Sequence, residues 1–289
     1  MRRVVSILAT LCLVGGVAVT VVANPGAVAA SSRPVEYLAL GDSLAFGFSP
    51  LVIPPVNPAA FVGYPDKVAE ALKENLTNAG CPGETSNHFI DLAGSDNGCG
   101  DPFHPGPTFR ANFPLHTSYG TAQLAFADAF LQSHPKTLVV SIDIGANDLQ
   151  ALVNSCGGEA NVGCIMLGMP GMLATLSNNL DTIYGHIRNV DGYNHKLVAL
   201  TVYSTDYANP VLTGAIYQVN QVVAARTLAW GGIVADGFGA FAAASAAYNG
   251  DTCAAGLRIV VAPSVCDSHP SPAGRDLLAQ TIVKALRAD

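Results

Sequence analysis

A serine next to an aspartate and close to two glycines follows a short apolar run near the start of the chain. Residues 37–48 read YLALGDSLAFGF and contain Ser43. A serine becomes a nucleophile only where a base takes its proton, and a histidine that titrates near neutrality suits that role. His269 is the candidate base, and Asp267 is the candidate acid that holds the other imidazole nitrogen. These residue types predict nucleophilic catalysis by a serine.

Three hydrogen-bond donors are candidates for stabilising the charge that such a reaction creates. Attack on an ester places negative charge on the carbonyl oxygen, and each well-placed donor stabilises the transition state by about 3–4 kcal/mol. The backbone N–H of Gly83, in the turn CPGET, is one candidate, and the side-chain amide of Asn147, in IGAND, is another. The backbone N–H of Ser43 is the third. Together they predict an oxyanion hole.

Each of these residues also has an ordinary structural interpretation. Ser43 is a suitable helix cap, Gly83 and Asn147 are common turn residues, His269 is a candidate surface residue, and Asp267 suits the start of a helix. The other histidines of the mature chain show no spacing typical of metal ligands; they are His88, His104, His116, His134, His186 and His195. The motifs G-x-S-x-G and H-E-x-x-H, the P-loop and the dinucleotide fingerprint are absent. We therefore expect neither a metal nor a cofactor.

The elements that must position these residues alternate between strand-like and helix-like segments. Predicted strands cover 35–40, 136–145, 196–204 and 231–236, and predicted helices cover 64–76, 119–134, 172–190, 211–230 and 271–287. Residues 80–114 and the Gly- and Cys-containing stretch after residue 145 are expected to be loops. Strands that are apolar throughout and separated by helices favour an α/β fold with a mostly parallel sheet. Ligand sites of such folds lie beyond the carboxyl ends of the strands, where Ser43 and Asn147 fall.

Four segments together resemble the SGNH/GDSL hydrolases, and most of all the secreted, disulfide-bonded esterases and lipases of actinobacterial type. They are LALGDSLAFG, CPGET, IGAND and DSHPSPAG, which follow in the order of that family and span nearly the whole mature chain. The resemblance implies a three-layer α/β/α sandwich with about five parallel strands, of flavodoxin-like topology. It implies Ser43 as nucleophile, His269 as base, and Ser43, Gly83 and Asn147 as the oxyanion hole. Cys266 stands where the family often has its aspartate, so either Asp267 or a backbone carbonyl orients His269.

The N-terminal segment and the composition of the chain predict an exported protein. Residues 1–30 read as a signal peptide, with cleavage near Ala29 or Ala30. The alternative is a membrane anchor over residues 4–23. Residues 31–289 then form a single domain with 12 basic and 21 acidic residues, a net charge of −9 that argues against nucleic acid as a partner. After cleavage we expect a monomeric extracellular protein without stable membrane insertion.

Six cysteines remain after signal cleavage, an even number that predicts three disulfides in an exported chain. Fifteen pairings are possible in principle, but the cysteines fall in three local pairs. The expected pairs are Cys81–Cys99, Cys156–Cys164 and Cys253–Cys266.

The substrate is expected to be a carboxylic ester with a lipid-like acyl group. Residues 46–64, FGFSPLVIPPVNPAAFVGY, form an apolar stretch that directly follows the nucleophile and is a candidate wall for an acyl groove. A packed surface loop is the alternative interpretation. Other functions that the sequence leaves open are a carbohydrate acetylesterase, a phospholipase, and a secreted binding protein with an inactive site.

Overall fold

Five parallel strands form the central sheet of the chain in a computed structural model that describes residues 35–100 and 106–289. The strand order is β2-β1-β3-β4-β5, and every neighbouring pair is parallel. This is the flavodoxin-like order, so the predicted fold class is confirmed. The predicted signal peptide, the first four residues of the predicted domain, and His104 lie outside the described residues. The strands are β1 (Glu36–Gly41), β2 (Asn75–Asn78), β3 (Thr137–Asp143), β4 (Lys196–Leu200) and β5 (Ile233–Ala235).

Helices cover both faces of this sheet, which explains why its inner strands are apolar at consecutive positions. Successive side chains of a strand point to opposite faces. In β1, Leu38 and Leu40 belong to one apolar cluster, whereas Tyr37 and Ala39 belong to the other. The helices are α1 (Ser43–Phe46), α2 (Tyr64–Leu72), α3 (Ser86–Ile90), α4 (Phe109–Asn112), α5 (Gln123–Ser133), α6 (Ala146–Ser155), α7 (Val162–Gly185), α8 (Pro210–Ala229), α9 (Gly237–Ser245) and α10 (Pro272–Ala288).

The two clusters divide the helices into two outer layers. Helices α5, α7 and α8 pack on the face of Leu38 and contribute Leu124, Leu176 and Val219 to the core. Helices α2, α9 and α10 pack on the opposite face. The result is a three-layer arrangement in which the carboxyl ends of the parallel strands open toward one edge.

The structure differs from the predicted elements mainly where distant segments pair. The predicted helix 64–76 ends at Leu72, and Asn75–Asn78 forms strand β2 instead. Lys73 takes a left-handed conformation with φ of 59°, which ends the helix. Pairing of β2 with β1 then satisfies backbone groups that a helix would otherwise have used.

Other elements appear where loops or no elements were expected. The stretch after residue 145 begins with helix α6, and the long loop 80–114 contains the short helices α3 and α4. Helix α9 was not predicted either. Two further strands, β6 (Arg258–Ala262) and β7 (Val265–Pro270), form an antiparallel hairpin before α10. This hairpin matters for function because β7 contains His269.

Three disulfide bonds join the six cysteines in the predicted local pairs. The bonds are Cys81–Cys99, Cys156–Cys164 and Cys253–Cys266. Among the described residues, no helix is both long enough and apolar enough to cross a lipid bilayer.

Candidate active site

The turn after strand β1 presents Ser43 at the carboxyl end of the sheet. Gly41 has φ of 132°, and a Cβ atom there would lie 2.2 Å from the backbone oxygen of Asp143, so only glycine fits. The Asp42 side chain caps α1 by accepting a hydrogen bond of 2.9 Å from the N–H of Leu44. Asp42 therefore occupies the capping position that was the alternative interpretation of Ser43. Ser43 itself is the half-buried first residue of the helix.

His269 and Asp267 lie together on strand β7. The Nδ1 atom of His269 is 2.5 Å from Oδ1 of Asp267, and the backbone N–H of His269 donates to the same oxygen over 2.9 Å. The hydrogen bond from His269 lowers the pKa of Asp267 below its usual value. The partner of the imidazole is thus the Asp267 carboxylate rather than a backbone carbonyl. This leaves Nε2 as the nitrogen available to accept a proton.

The ring of Phe48, in the loop that follows Ser43 and helix α1, packs against the imidazole of His269. The centroids of the Phe48 and His269 rings are 4.8 Å apart. Packing against an aromatic ring on one side and hydrogen bonding to a carboxylate on the other restrict how the imidazole can rotate. Both contacts favour a single orientation of the candidate base.

Ser43, Asn147 and His269 line one cavity of about 840 Å³, which we call the catalytic cavity. Gly83 and Asp267 are not among the described residues that line it. The other walls come largely from α6, from the start of α7 and from the start of α8. Their apolar side chains include Leu149, Val153, Val162, Ile165, Leu212 and Ile216.

Two neighbours fix the amide of Asn147. Its Nδ2 donates to Oδ2 of Asp42 over 3.2 Å, and its Oδ1 accepts from Nδ2 of Asn97 over 3.0 Å. An amide nitrogen has two hydrogens, so the second hydrogen of Nδ2 is left for a ligand. Asn97 was not singled out in the sequence, where it is one of several polar residues of a presumed loop.

Asn97 also connects Asn147 to the second candidate donor, Gly83. The backbone N–H of Asn97 donates to the carbonyl of Gly83 over 2.9 Å. Gly83 has φ of 87°, and a Cβ atom at this position would lie 2.6 Å from the Asn97 carbonyl oxygen. Within the described part of the chain, the N–H of Gly83 has no hydrogen-bond partner. It is therefore free to donate to a ligand.

Gln123 links the turn of Gly83 to the turn that contains Ser43. Its Oε1 accepts from the N–H of Gly41 over 2.5 Å, and its Nε2 donates to the Gly41 carbonyl and to Glu84, over 3.1 and 3.0 Å respectively. Glu84 in turn pairs with the buried His88. Gln123 and Glu84 were not identified as site residues because their role depends on contacts between distant segments.

A pair of buried carboxyl groups, those of Asp42 and Asp143, lies at the turn that contains Ser43. Burial raises the pKa of both Asp42 and Asp143, and the negative charge of Asp42 raises the pKa of Asp143 further. Asp42 accepts hydrogen bonds from Leu44 and Asn147, which favour its charged form. The pKa of Asp143 is therefore raised more than that of Asp42, and Oδ1 of Asp143 accepts from the Tyr64 hydroxyl over 2.6 Å.

Two overlapping groups of potential metal ligands lie near this region among the described residues. Suitable atoms lie within 4.8 Å of one another in Cys81, Glu84 and Cys99, and likewise in His88, Asp96 and Cys99. The Cys99 sulfur is bonded to Cys81, so it cannot act as a thiolate ligand.

Comparisons with known proteins show the family and the fold of this chain. The sequence profile of the GDSL-like lipase/acylhydrolase family matches residues 39–277. No curated protein is similar enough in sequence to match. Among solved structures, a phospholipase A1 from Streptomyces albidoflavus is 19% identical with a TM-score of 0.55, covering 87% of this chain and 99% of its own.

Two further solved structures share the fold. An extracellular lipase from Streptomyces rimosus is 18% identical with a TM-score of 0.54, and the comparison covers 87% of this chain and 99% of the lipase. An acetylxylan esterase from Geobacillus stearothermophilus is 16% identical with a TM-score of 0.51, over 87% of this chain and 94% of the esterase. At these identities, the similarity establishes the architecture alone.

Proposed function

The chain belongs to the GDSL-like lipase/acylhydrolase family, and from this membership we propose that it is a secreted serine esterase or lipase that hydrolyses carboxylic esters. The observation that carries the proposal is the meeting of Ser43, Asn147 and His269 in one cavity. These residues come from three distant segments of the sequence. The hydrogen bond between His269 and Asp267 supports the same assignment.

The reaction that we propose has two steps. His269 takes the proton of Ser43 while the serine oxygen bonds to the ester carbonyl carbon, and the N–H groups of Ser43 and Gly83 and the Asn147 amide stabilise the oxyanion. The bond to the alcohol oxygen then breaks, and His269 gives its proton to the departing alcohol. In the second step, water loses a proton to His269 and attacks the acyl-enzyme. The acid leaves, and Ser43 regains its proton.

The lining of the catalytic cavity supports an apolar acyl group. Its walls beyond the candidate catalytic residues are rich in aliphatic side chains from α6, α7 and α8. The stretch 46–64 was the expected wall, but none of its residues lines this cavity. Phe46, Phe61 and Tyr64 are buried in the core, and residues 49–60 form an outer loop. Residues of the stretch, among them Phe48 and Val62, line a second cavity instead.

Secretion is the part of the proposal that rests on the sequence and on the cysteines. Three disulfide bonds are typical of proteins in oxidising compartments. The similarity in fold to an extracellular lipase is compatible with that location.

A panel of p-nitrophenyl esters from acetyl to palmitoyl, with the wild type and Ser43→Ala, tests this function. We expect the wild type to hydrolyse a subset that depends on chain length, and Ser43→Ala to lose at least about a thousandfold in kcat. Preference for acetyl esters alone would favour the acetylesterase alternative. Equal activity of the two proteins, or none in either, would rule out Ser43 as the nucleophile and favour a binding protein.

A further inference from the structure

A second cavity of about 400 Å³ is lined by Phe48, whose ring packs against His269. Its walls come from the loop 47–63, the hairpin β6–β7 and the start of α10. Leu44 and Arg258 line both this second cavity and the catalytic cavity, so the two are adjacent at the nucleophile. The apolar side chains of its lining include Phe48, Leu51, Val52, Val62, Ile259 and Val260.

The mouth of the second cavity leaves much of this apolar surface in solvent. Leu51 is 62% exposed and Val260 is 56% exposed, although both line the cavity. Exposed aliphatic side chains at a concave site indicate an apolar ligand, because covering them removes that surface from water. An aliphatic chain is the ligand that fits such an apolar space.

Arg258 is the charged group at the junction of the two cavities. Its Nη1 donates to the backbone oxygen of Asp267 over a long 3.4 Å, and its buried Nε has no hydrogen-bond partner. No carboxylate within residues 35–100 and 106–289 lies within 4.0 Å of its guanidinium nitrogens. Arg275, the other arginine of the second cavity, already pairs with Asp276 at 2.7 Å. Arg258 therefore has donors and charge left for an anion.

From these features, and on the basis of the proposed function, we infer that the substrate is a diacyl phospholipid. The acyl chain that is cleaved lies in the catalytic cavity, and the other acyl chain lies in the second cavity. The phosphate binds Arg258, at the branch point between the chains. Hydrolysis at Ser43 then releases one fatty acid and leaves a lysophospholipid, with water as the only co-reactant.

Three substrates separate the parts of this inference: dioleoylphosphatidylcholine in mixed micelles, dioleoylglycerol in the same micelles, and p-nitrophenyl butyrate. The first has two chains and a phosphate, the second lacks the phosphate, and the third lacks both the second chain and the phosphate. We expect the wild type to hydrolyse the phospholipid. Arg258→Gln is expected to lower the ratio of phospholipid to dioleoylglycerol activity about 10- to 100-fold, the effect of losing a charge-assisted hydrogen bond.

Val260→Trp, which fills the second cavity, is expected to lower the activity on both two-chain substrates relative to p-nitrophenyl butyrate. Val261→Trp is the matched control, since Val261 is similarly exposed, at 44%, but does not line the cavity. It should leave the ratios unchanged.

The results that would overturn the inference are distinct from failure of the proposed function. If Arg258→Gln loses the same fraction of activity on all three substrates, Arg258 acts only by holding Asp267 in place and does not bind the phosphate. Unchanged ratios in Val260→Trp would exclude a second chain from the cavity. A wild type that hydrolyses p-nitrophenyl butyrate but no phospholipid would refute the inference alone, whereas no turnover of any ester would refute both.

Discussion

Asn147 illustrates at the scale of a single residue how this site is arranged. A side-chain amide has a donor end and an acceptor end of similar shape, so it stabilises an oxyanion only when its donor end faces the cavity. Asp42 accepts from that donor end, and Asn97 donates to the acceptor end. The orientation is therefore fixed by two neighbours that carry no chemistry of their own.

Changing Asn97 tests this positioning role. We expect Asn97→Ala to lower kcat about tenfold with little change in KM, because the amide of Asn147 loses one of its two restraints. Asn97→Asp should be worse, because a carboxylate facing the Asn147 oxygen would repel it and turn the amide around. Kinetics on a soluble p-nitrophenyl ester measure both parameters.

The control for Asn97 is Asn154→Ala. Asn154 donates to Asn97 from an exposed position over 3.0 Å, and its loss should change kcat little. Effects of Asn97→Ala and Asn97→Asp that appear in KM alone would show contact with substrate rather than positioning of Asn147.

Asp191 provides a pH test at the same scale. Burial, together with the nearby charge of Asp128, raises its pKa to about 6, whereas an unfolded aspartate titrates near about 3.9. Between these values the folded state binds more protons, so this residue makes stability fall as pH rises from about 4 to 6. Asp191→Asn should remove that fall. Urea unfolding at pH 4 and pH 7 would measure the free energy of unfolding of both proteins. A variant that is destabilised, relative to the wild type, more at pH 7 than at pH 4 would contradict the assignment.

At the scale of elements, strand β7 contains both the disulfide-bonded Cys266 and the candidate base His269. The Cys253–Cys266 bond closes its loop three residues before His269. This bond restricts the unfolded chain and also holds the hairpin that carries the base. Its two effects, on stability and on catalysis, can be separated by comparison with another disulfide.

Removing this bond with Cys253→Ala and Cys266→Ala is expected to lower the free energy of unfolding by about 3 kcal/mol. It should also lower kcat of the folded enzyme, because β7 is then less well fixed. The paired variant Cys156→Ala and Cys164→Ala opens a loop of similar length, with a separation of 8 residues against 13. It should lose comparable stability but less kcat. Equal kcat values in the two variants would show that the Cys253–Cys266 bond does not position His269.

At the scale of the whole molecule, the expected export makes a prediction about the finished protein. When residues 1–289 are expressed in a secreting bacterial host, the protein in the medium should begin at Ala30 or Ser31. It should contain no free thiol, because its six cysteines are bonded in pairs. Intact-mass spectrometry with and without alkylation measures both. A membrane-bound product that begins at Met1 would instead support the anchor at 4–23.

The sequence by itself determined the layered α/β fold and the principal candidates for the site. Apolar runs and helical spacing are local patterns, and they predict a covered parallel sheet because only that arrangement buries strands on both faces. Ser43, Gly83, Asn147 and His269 were singled out because each lies within a short motif. The cysteine pairs could also be predicted from the sequence, since the two members of each pair are close in sequence.

Only the tertiary structure decided which residues surround that site. Strand β2 formed inside a helical pattern because β1 offered it a pairing edge. Asn97, Gln123 and Asp143 gained roles through partners that are 39 to 101 residues distant in the sequence. The two cavities, and the position of Arg258 between them, likewise arise from segments that meet only on folding. Local patterns carry no information about such meetings, because the energy of a contact between distant segments depends on the packing of the whole chain.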